Sequence, residues 1–263
     1  MRRFILPSVI IVSAFVLMSI VVSKREREGI MSNKIQQTAS SSFPSPTDVY
    51  FPVSSDEIFT PSPSTKKEIL EHNVLFDVPF VVQAPRHNWN DIIYQNACEE
   101  AAVLMAMHWV QGRPLTSEEA YVEIKKLSDY SQEKYGFHLD QAAEDVARLI
   151  RDYYDYENVE YRDDIKTQDI KEELMKGNLV LVPVNGRKLG NPFFTAPGPT
   201  EHMLVIKGYD VEKKEFISND SGIGKGNGYR YEEGVLDGAL QRYPSGYHGA
   251  ITEIKKVMII VSK

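Results

Sequence analysis

Polar and apolar positions follow different rules in successive parts of the chain. Positions 4–23 carry no charged residue and read FILPSVIIVSAFVLMSIVVS. Twenty helical residues rise about 30 Å, the depth of a bilayer core. Arg2 and Arg3 precede the run, and Lys24, Arg25 and Arg27 follow it. It is longer than the apolar stretch of a typical export signal, and no small-residue cleavage site closes it. The pattern therefore predicts an uncleaved membrane anchor over 1–23, with a cleaved signal peptide as the competing reading. Its resemblance to an export signal places the rest of the chain outside the cytoplasm, at the cell surface, most naturally of a bacterium. From 24 to 70 the apolar periodicity disappears. Ser, Thr, Pro and Gln dominate in SSSFPSPTDVYFPVSS and TPSPST. Such a segment buries too little surface to offset its ordering entropy, and it reads as a Pro-stiffened stalk.

Regular periodicity returns over 71–263, which reads as one domain. The spacing predicts a helix over 96–111, stopped by Gly112. Thr116-Ser117-Glu118-Glu119 is a capping box that opens a second helix to about 127. Leu139, Ala142, Ala143, Val146, Leu149, Ile150 and Tyr153 recur at helical spacing. A shorter helix covers 167–176 and ends at Gly177. The second half changes character: 178–184, 202–210, 215–218, 228–231 and 256–262 read as strands. Helices followed by strands predict an α+β fold with an antiparallel sheet.

Composition removes several functions. Of 263 residues, 42% are hydrophobic and 25% charged, as in ordinary globular chains. With 30 Lys and Arg against 37 Asp and Glu, the net charge is −7. That balance argues against nucleic acid as a partner, since a phosphate backbone requires a basic face. A single cysteine, Cys98, forms neither an internal disulfide nor a multi-cysteine zinc site. There is no His-Glu-x-x-His, and the glycine run at 222–228, GIGKGNG, fits no phosphate-binding pattern and reads as a mobile loop. Nothing in the sequence requires a metal or an organic cofactor.

Cys98 carries the most specific signal. Asn96 is a good N-cap with Glu99 three residues on, so the thiol falls in the first turn of a helix that is apolar nearly all round. Unpaired N–H groups and the helix dipole at that end favour a thiolate, which predicts a depressed Cys98 pKa. The bland alternative is a small buried hydrophobe. A thiolate needs an imidazole partner, and of six histidines His202 is placed best, at the head of the strand HMLVIKGYD. The next strand ends at Asp220. A two-residue turn at Val211-Glu212 sets His202 opposite 221, and a one-residue slip sets it opposite Asp220. The Pro/Gly loop at 191–199, with Phe193 and Phe194, could wall a cleft.

Together these segments resemble a known family, the papain-fold cysteine peptidases related to the bacteriocin leader-processing peptidases (C-39-like). The matching pieces are VPFVVQAP at 78–85, NW at 88–89, ACEEAAVLM at 97–105, HMLVIKGYD at 202–210 and EFISNDSG at 215–222. The resemblance implies a papain-like fold, with a buried helix carrying the cysteine packed on the antiparallel sheet. It also implies Cys98 as nucleophile, His202 as general acid and base, and Asp220 as the group that orients His202. Gln83, at the end of the VPFVVQ strand, would serve the oxyanion, with Gln95 as second choice. Many members carry Cys-Gly and Asp-Pro where this chain has Cys98-Glu99 and Asp220-Ser221. The implied protein is a membrane-anchored thiol hydrolase that acts on peptide or protein substrates. The alternative is a peptide- or wall-binding module that keeps the groove with an inert thiol.

Overall fold

The apolar runs of the second half assemble into one antiparallel sheet. The computed structural model describes residues 72–263, so the predicted anchor at 1–23 and stalk at 24–70 lie outside the described residues. Among the described residues no helix is long and apolar enough to cross a membrane. The strands are β1 (Val74–Leu75), β2 (Val159–Asp163), β3 (Leu179–Val184), β4 (His202–Asp210), β5 (Glu215–Asn219), β6 (Asn227–Glu232) and β7 (Val257–Val261). They run in the order β2-β7-β3-β4-β5-β6, and every pairing is antiparallel. The short β1 pairs with the far end of β4, at Gly208 and Tyr209, beyond the reach of β3.

β3, β4 and β7 are buried at every position. Strands covered on both faces read as continuous apolar runs, which is why the sequence announces these so clearly. Their side chains divide by parity. Leu179, Leu181, Met203, Val205 and Ile259 enter one core, together with α2 (Cys98–Gln111), α3 (Ser117–Tyr135) and α4 (Ala143–Tyr154). Val180, Val182, Leu204, Ile206 and Ile260 enter a second core on the other face, with α5 (Thr167–Met175) and α7 (Glu233–Ala239). The short α1 (Ile92–Gln95) and α6 (Gly186–Leu189) complete the set. α2 is buried from Cys98 through Trp109 and packs on β4. Each large side chain it buries contributes roughly 1.5–3 kcal/mol, so the helix that carries the thiol is a rigid platform.

Several boundaries differ from the periodicity. α3 continues to Tyr135 and is closed by Gly136 in the left-handed region. Its N-cap is as read: Thr116 accepts from the Glu119 N–H at 3.1 Å. The VPFVVQ segment is not a strand. Pro79 lacks an N–H, and the segment is held only at points, with the Asn219 side chain donating to the Pro79 carbonyl at 3.1 Å. β2 escapes the reading because VEYRD is mostly polar. The β4–β5 connection is a four-residue loop, since Asp210 pairs with Glu215, and not the two-residue turn at Val211-Glu212. The Asp210 carboxylate accepts from the Lys213 N–H at 3.1 Å, which closes the longer turn locally.

Candidate active site

Cys98 opens α2, whose start lies one residue later than an Asn96 cap would set it. Asn96 is spent on the preceding short helix: its side chain donates to the Ile92 carbonyl at 2.9 Å. Ala97 becomes the N-cap and offers no side-chain acceptor. The thiol is 4% exposed. It donates to Glu99 Oε2 at 3.2 Å, and the Met203 N–H, next to His202, lies against it. Burial pushes the Cys98 thiol well up, and the neighbouring Glu99 carboxylate adds to the rise. The expectation of a depressed thiol pKa is thereby corrected. The helix-terminal dipole is present, but enclosure and an adjacent anion outweigh it. Glu99 is no cap either. It is buried, and its second oxygen accepts from the Tyr243 hydroxyl at 2.6 Å. Burial pushes its own carboxyl up to about 7, against the pull of the Tyr243 and Cys98 hydrogen bonds.

His202 opens β4 and Asp220 follows β5. With the longer loop and a bulge between Ile206 and Gly208, Val205 pairs with Asn219, so neither predicted register holds. The two side chains still meet across the sheet end, His202 Nε2 to Asp220 Oδ1 at 2.8 Å. Asp220 is fully buried. Its Oδ1 accepts also from the Gly222 N–H at 3.0 Å, and its Oδ2 from the Tyr231 hydroxyl at 2.6 Å and the Asn191 amide at 3.4 Å. Asn191 donates in turn to the Tyr231 hydroxyl at 2.7 Å. Burial alone would raise the Asp220 carboxyl. His202 and these donors reverse that and hold it below the ordinary aspartate range. The Phe194 ring meets the imidazole nearly edge-on, centroids 5.4 Å apart.

Gln83 is buried beside the same site. Its Nε2 donates to the Gln95 carbonyl at 2.8 Å and to the Tyr94 carbonyl at 3.3 Å, and its Oε1 accepts from Ser221 at 3.4 Å. A cavity of about 240 Å³ is lined by Gln83, Gln95, Cys98 and His202, with Trp89 and Phe194 at its walls. Asp220 stands behind His202, out of the cavity. Among the described residues Cys98 makes no hydrogen bond to His202; its hydrogen bond goes to Glu99. Asp140, Glu201 and His248 edge the cavity, their ligating atoms within 4.8 Å of one another, a group that could hold a cation. His248 itself lies 3.5 Å from Asp140 and 3.4 Å from Glu201. A second cavity, of about 450 Å³, lies by Trp109, Arg113 and Lys263 and contains no thiol; His108 lines it, 3.7 Å from the Glu119 carboxylate.

The glycine segment at 222–228 is anchored at points. The Asp220 N–H donates to the Gly226 carbonyl at 3.0 Å, and Ile223 is buried beneath it. Asn191 and Tyr231 were missed in the sequence. Tyr231 had only its place in a short aromatic strand to recommend it, and Asn191 only its place before a Pro/Phe loop.

The model of the Peptidase_C39 like family matches residues 75–245. Among solved structures, the chain is similar to a crystal structure of a candidate C39-like peptidase from Bacillus anthracis. The identity is 14% and the TM-score 0.48, covering 73% of this chain and 99% of that one. No protein of curated function matches it.

Proposed function

The chain belongs to the C39-like peptidase family, and on that footing we propose that it is a thiol hydrolase of peptide or amide bonds with Cys98 as nucleophile. One observation carries the reading: a thiol at the head of a buried helix and an imidazole line one cavity, and a buried carboxylate holds that imidazole from behind. A buried helix that brings a thiol to an antiparallel sheet is the papain-like arrangement. Asp220 fixes His202 through Nε2, which leaves Nδ1 for the thiol proton. The thiolate adds to the substrate carbonyl. The Cys98 backbone N–H, without a partner inside the first helical turn, receives the oxyanion. One N–H of Gln83 joins it by leaving its longer bond to the Tyr94 carbonyl. His202 then protonates the leaving amine, and water activated by His202 releases the acyl group from Cys98. The apolar run at 4–23 supports a membrane anchor that holds this domain outside the cytoplasm.

The test uses full-length protein in detergent with a peptide-like thiol electrophile, alongside the variants Cys98→Ala and His202→Ala. Labelling and peptide hydrolysis are expected in the native protein and in neither variant. A thiol that labels only after unfolding would assign the chain to the peptide- or wall-binding module instead.

A further inference from the structure

Acidic residues in the first turn of a helix ordinarily face solvent and complement the dipole from there. Glu99 does not. It is fully buried, and its oxygens are taken by the Cys98 thiol at 3.2 Å and the Tyr243 hydroxyl at 2.6 Å. Tyr243 comes from the segment between α7 and β7 and is itself enclosed. The other ionisable groups that face Glu99 are Glu100 on α2 and Asp140 from the α3–α4 loop. None is a cation. Glu100 is equally buried, its Oε1 accepting from Gln141 at 2.9 Å while its Oε2 has no partner among the described residues. The nucleophile of the proposed reaction therefore rests against an acid that belongs to no triad.

We propose that Glu99 is the proton-holding partner of Cys98, so that the thiol ionises onto His202 only while the Glu99 carboxyl is protonated. The inference rests on the reading of Cys98 as nucleophile. In the ionising step the S–H bond breaks, the proton passes to His202 Nδ1, and the electron pair stays on sulfur. The Glu99 proton remains on Glu99 and its O–H turns to donate to the thiolate. With Glu99 ionised, the same step would place two anions a hydrogen bond apart in a buried site, as in a carboxylate dyad that cannot lose both protons. Glu99 thus acts through Cys98 and is a positioning residue. Its ionisation switches the thiol off as pH rises through neutrality.

Full-length protein in detergent is alkylated with iodoacetamide across pH, as wild type, Glu99→Gln and Glu100→Gln, and the Cys98 peptide is quantified by mass spectrometry. At about pH 8 the Glu99→Gln protein should react about tenfold faster than wild type. At about pH 5.5, where Glu99 holds its proton, the two should agree within about twofold. The Glu100→Gln protein should follow wild type at both. A Glu99→Gln to wild-type ratio that does not change with pH overturns the proposal. Should the variant not fold, wild type suffices. Its one cysteine gives one S–H infrared band, which should shift as pH passes neutrality because its acceptor changes from carboxyl to carboxylate. A constant band overturns the pairing. Peptide hydrolysis is scored separately: a protein that shows the shift and cleaves nothing keeps the pairing and loses the hydrolase reading. One that cleaves peptide with no shift does the reverse.

Discussion

At the scale of single residues, Gln83 and Gly222 bear most directly on the chemistry. Gln83 already donates to two carbonyls, so serving an oxyanion means exchanging one of those bonds. Gln83→Ala should lower kcat/KM about a hundredfold, while iodoacetamide alkylation of Cys98, which forms no oxyanion, stays near wild type. A loss below about tenfold would leave the Cys98 backbone N–H as the working donor. A Cβ on Gly222 would stand 3.1 Å from His202 Cε1 and 3.3 Å from Asp220 Oδ1. Gly222→Ala should therefore shift the imidazole by a few tenths of an ångström and reduce kcat by about tenfold with little change in KM, measurable by steady-state peptide hydrolysis. An unchanged kcat would mean that the imidazole's exact position is not limiting. Whereas Gln83, in a segment that forms no strand, came from the family resemblance, Cys98, His202 and Asp220 stood out as candidates because each sits where an element begins or ends. Glu99 was misread as a cap for the same reason. Its burial depends on Tyr243, which is 144 positions away, and no local pattern encodes that.

At the scale of elements, the sequence shows best what is buried on both sides. β3, β4 and β7 and the apolar α2 stand out; the polar β2 and the two-residue β1 do not. Register was out of reach, because it depends on a bulge and on a side-chain turn at Asp210. Gly208 lies at that bulge, where β1 crosses β4, and an added Cβ would stand 2.3 Å from the Val74 carbonyl. Gly208→Ala must push β1 off the sheet or kink β4. The expected cost is about 1–3 kcal/mol, read as a lower urea midpoint with an unchanged slope. The thiol-alkylation profile of the folded protein should stay as in wild type, since His202 is at the other end of the strand. An unchanged midpoint would show that β1 contributes nothing to stability.

At the scale of the whole molecule, periodicity conveyed an α+β chain with an antiparallel sheet, and the order of the short motifs conveyed the family. It did not convey that helices cover both faces, because the second core forms from residues of alternate parity that look identical in a run such as LVLVPV. That enclosure has a consequence for global stability. Burial raises the Glu99 carboxyl from an ordinary 4.5 to about 7, and it raises Glu100 too, with Glu99 adding to the effect. The native state then binds these protons more tightly than the unfolded chain does. Their stabilisation is fully present below the unfolded value near 4.5 and is lost as pH rises through the native values, about 7 for Glu99. Asp220 has the opposite sign. Its carboxyl is held below 3.8, so its contribution is present above that value and lost as pH falls through the depressed one. The urea midpoint of the wild type should consequently be highest on the acid side of neutrality, near about pH 5, and fall on both sides. Glu99→Gln should flatten the alkaline decline, because a neutral amide has no proton to lose, and should leave the acid limb intact. A wild-type midpoint that stays level between about pH 5 and pH 8 would mean that the buried acids are solvated well enough to ionise freely, and the enclosed pairing of Glu99 with Cys98 would fall with them.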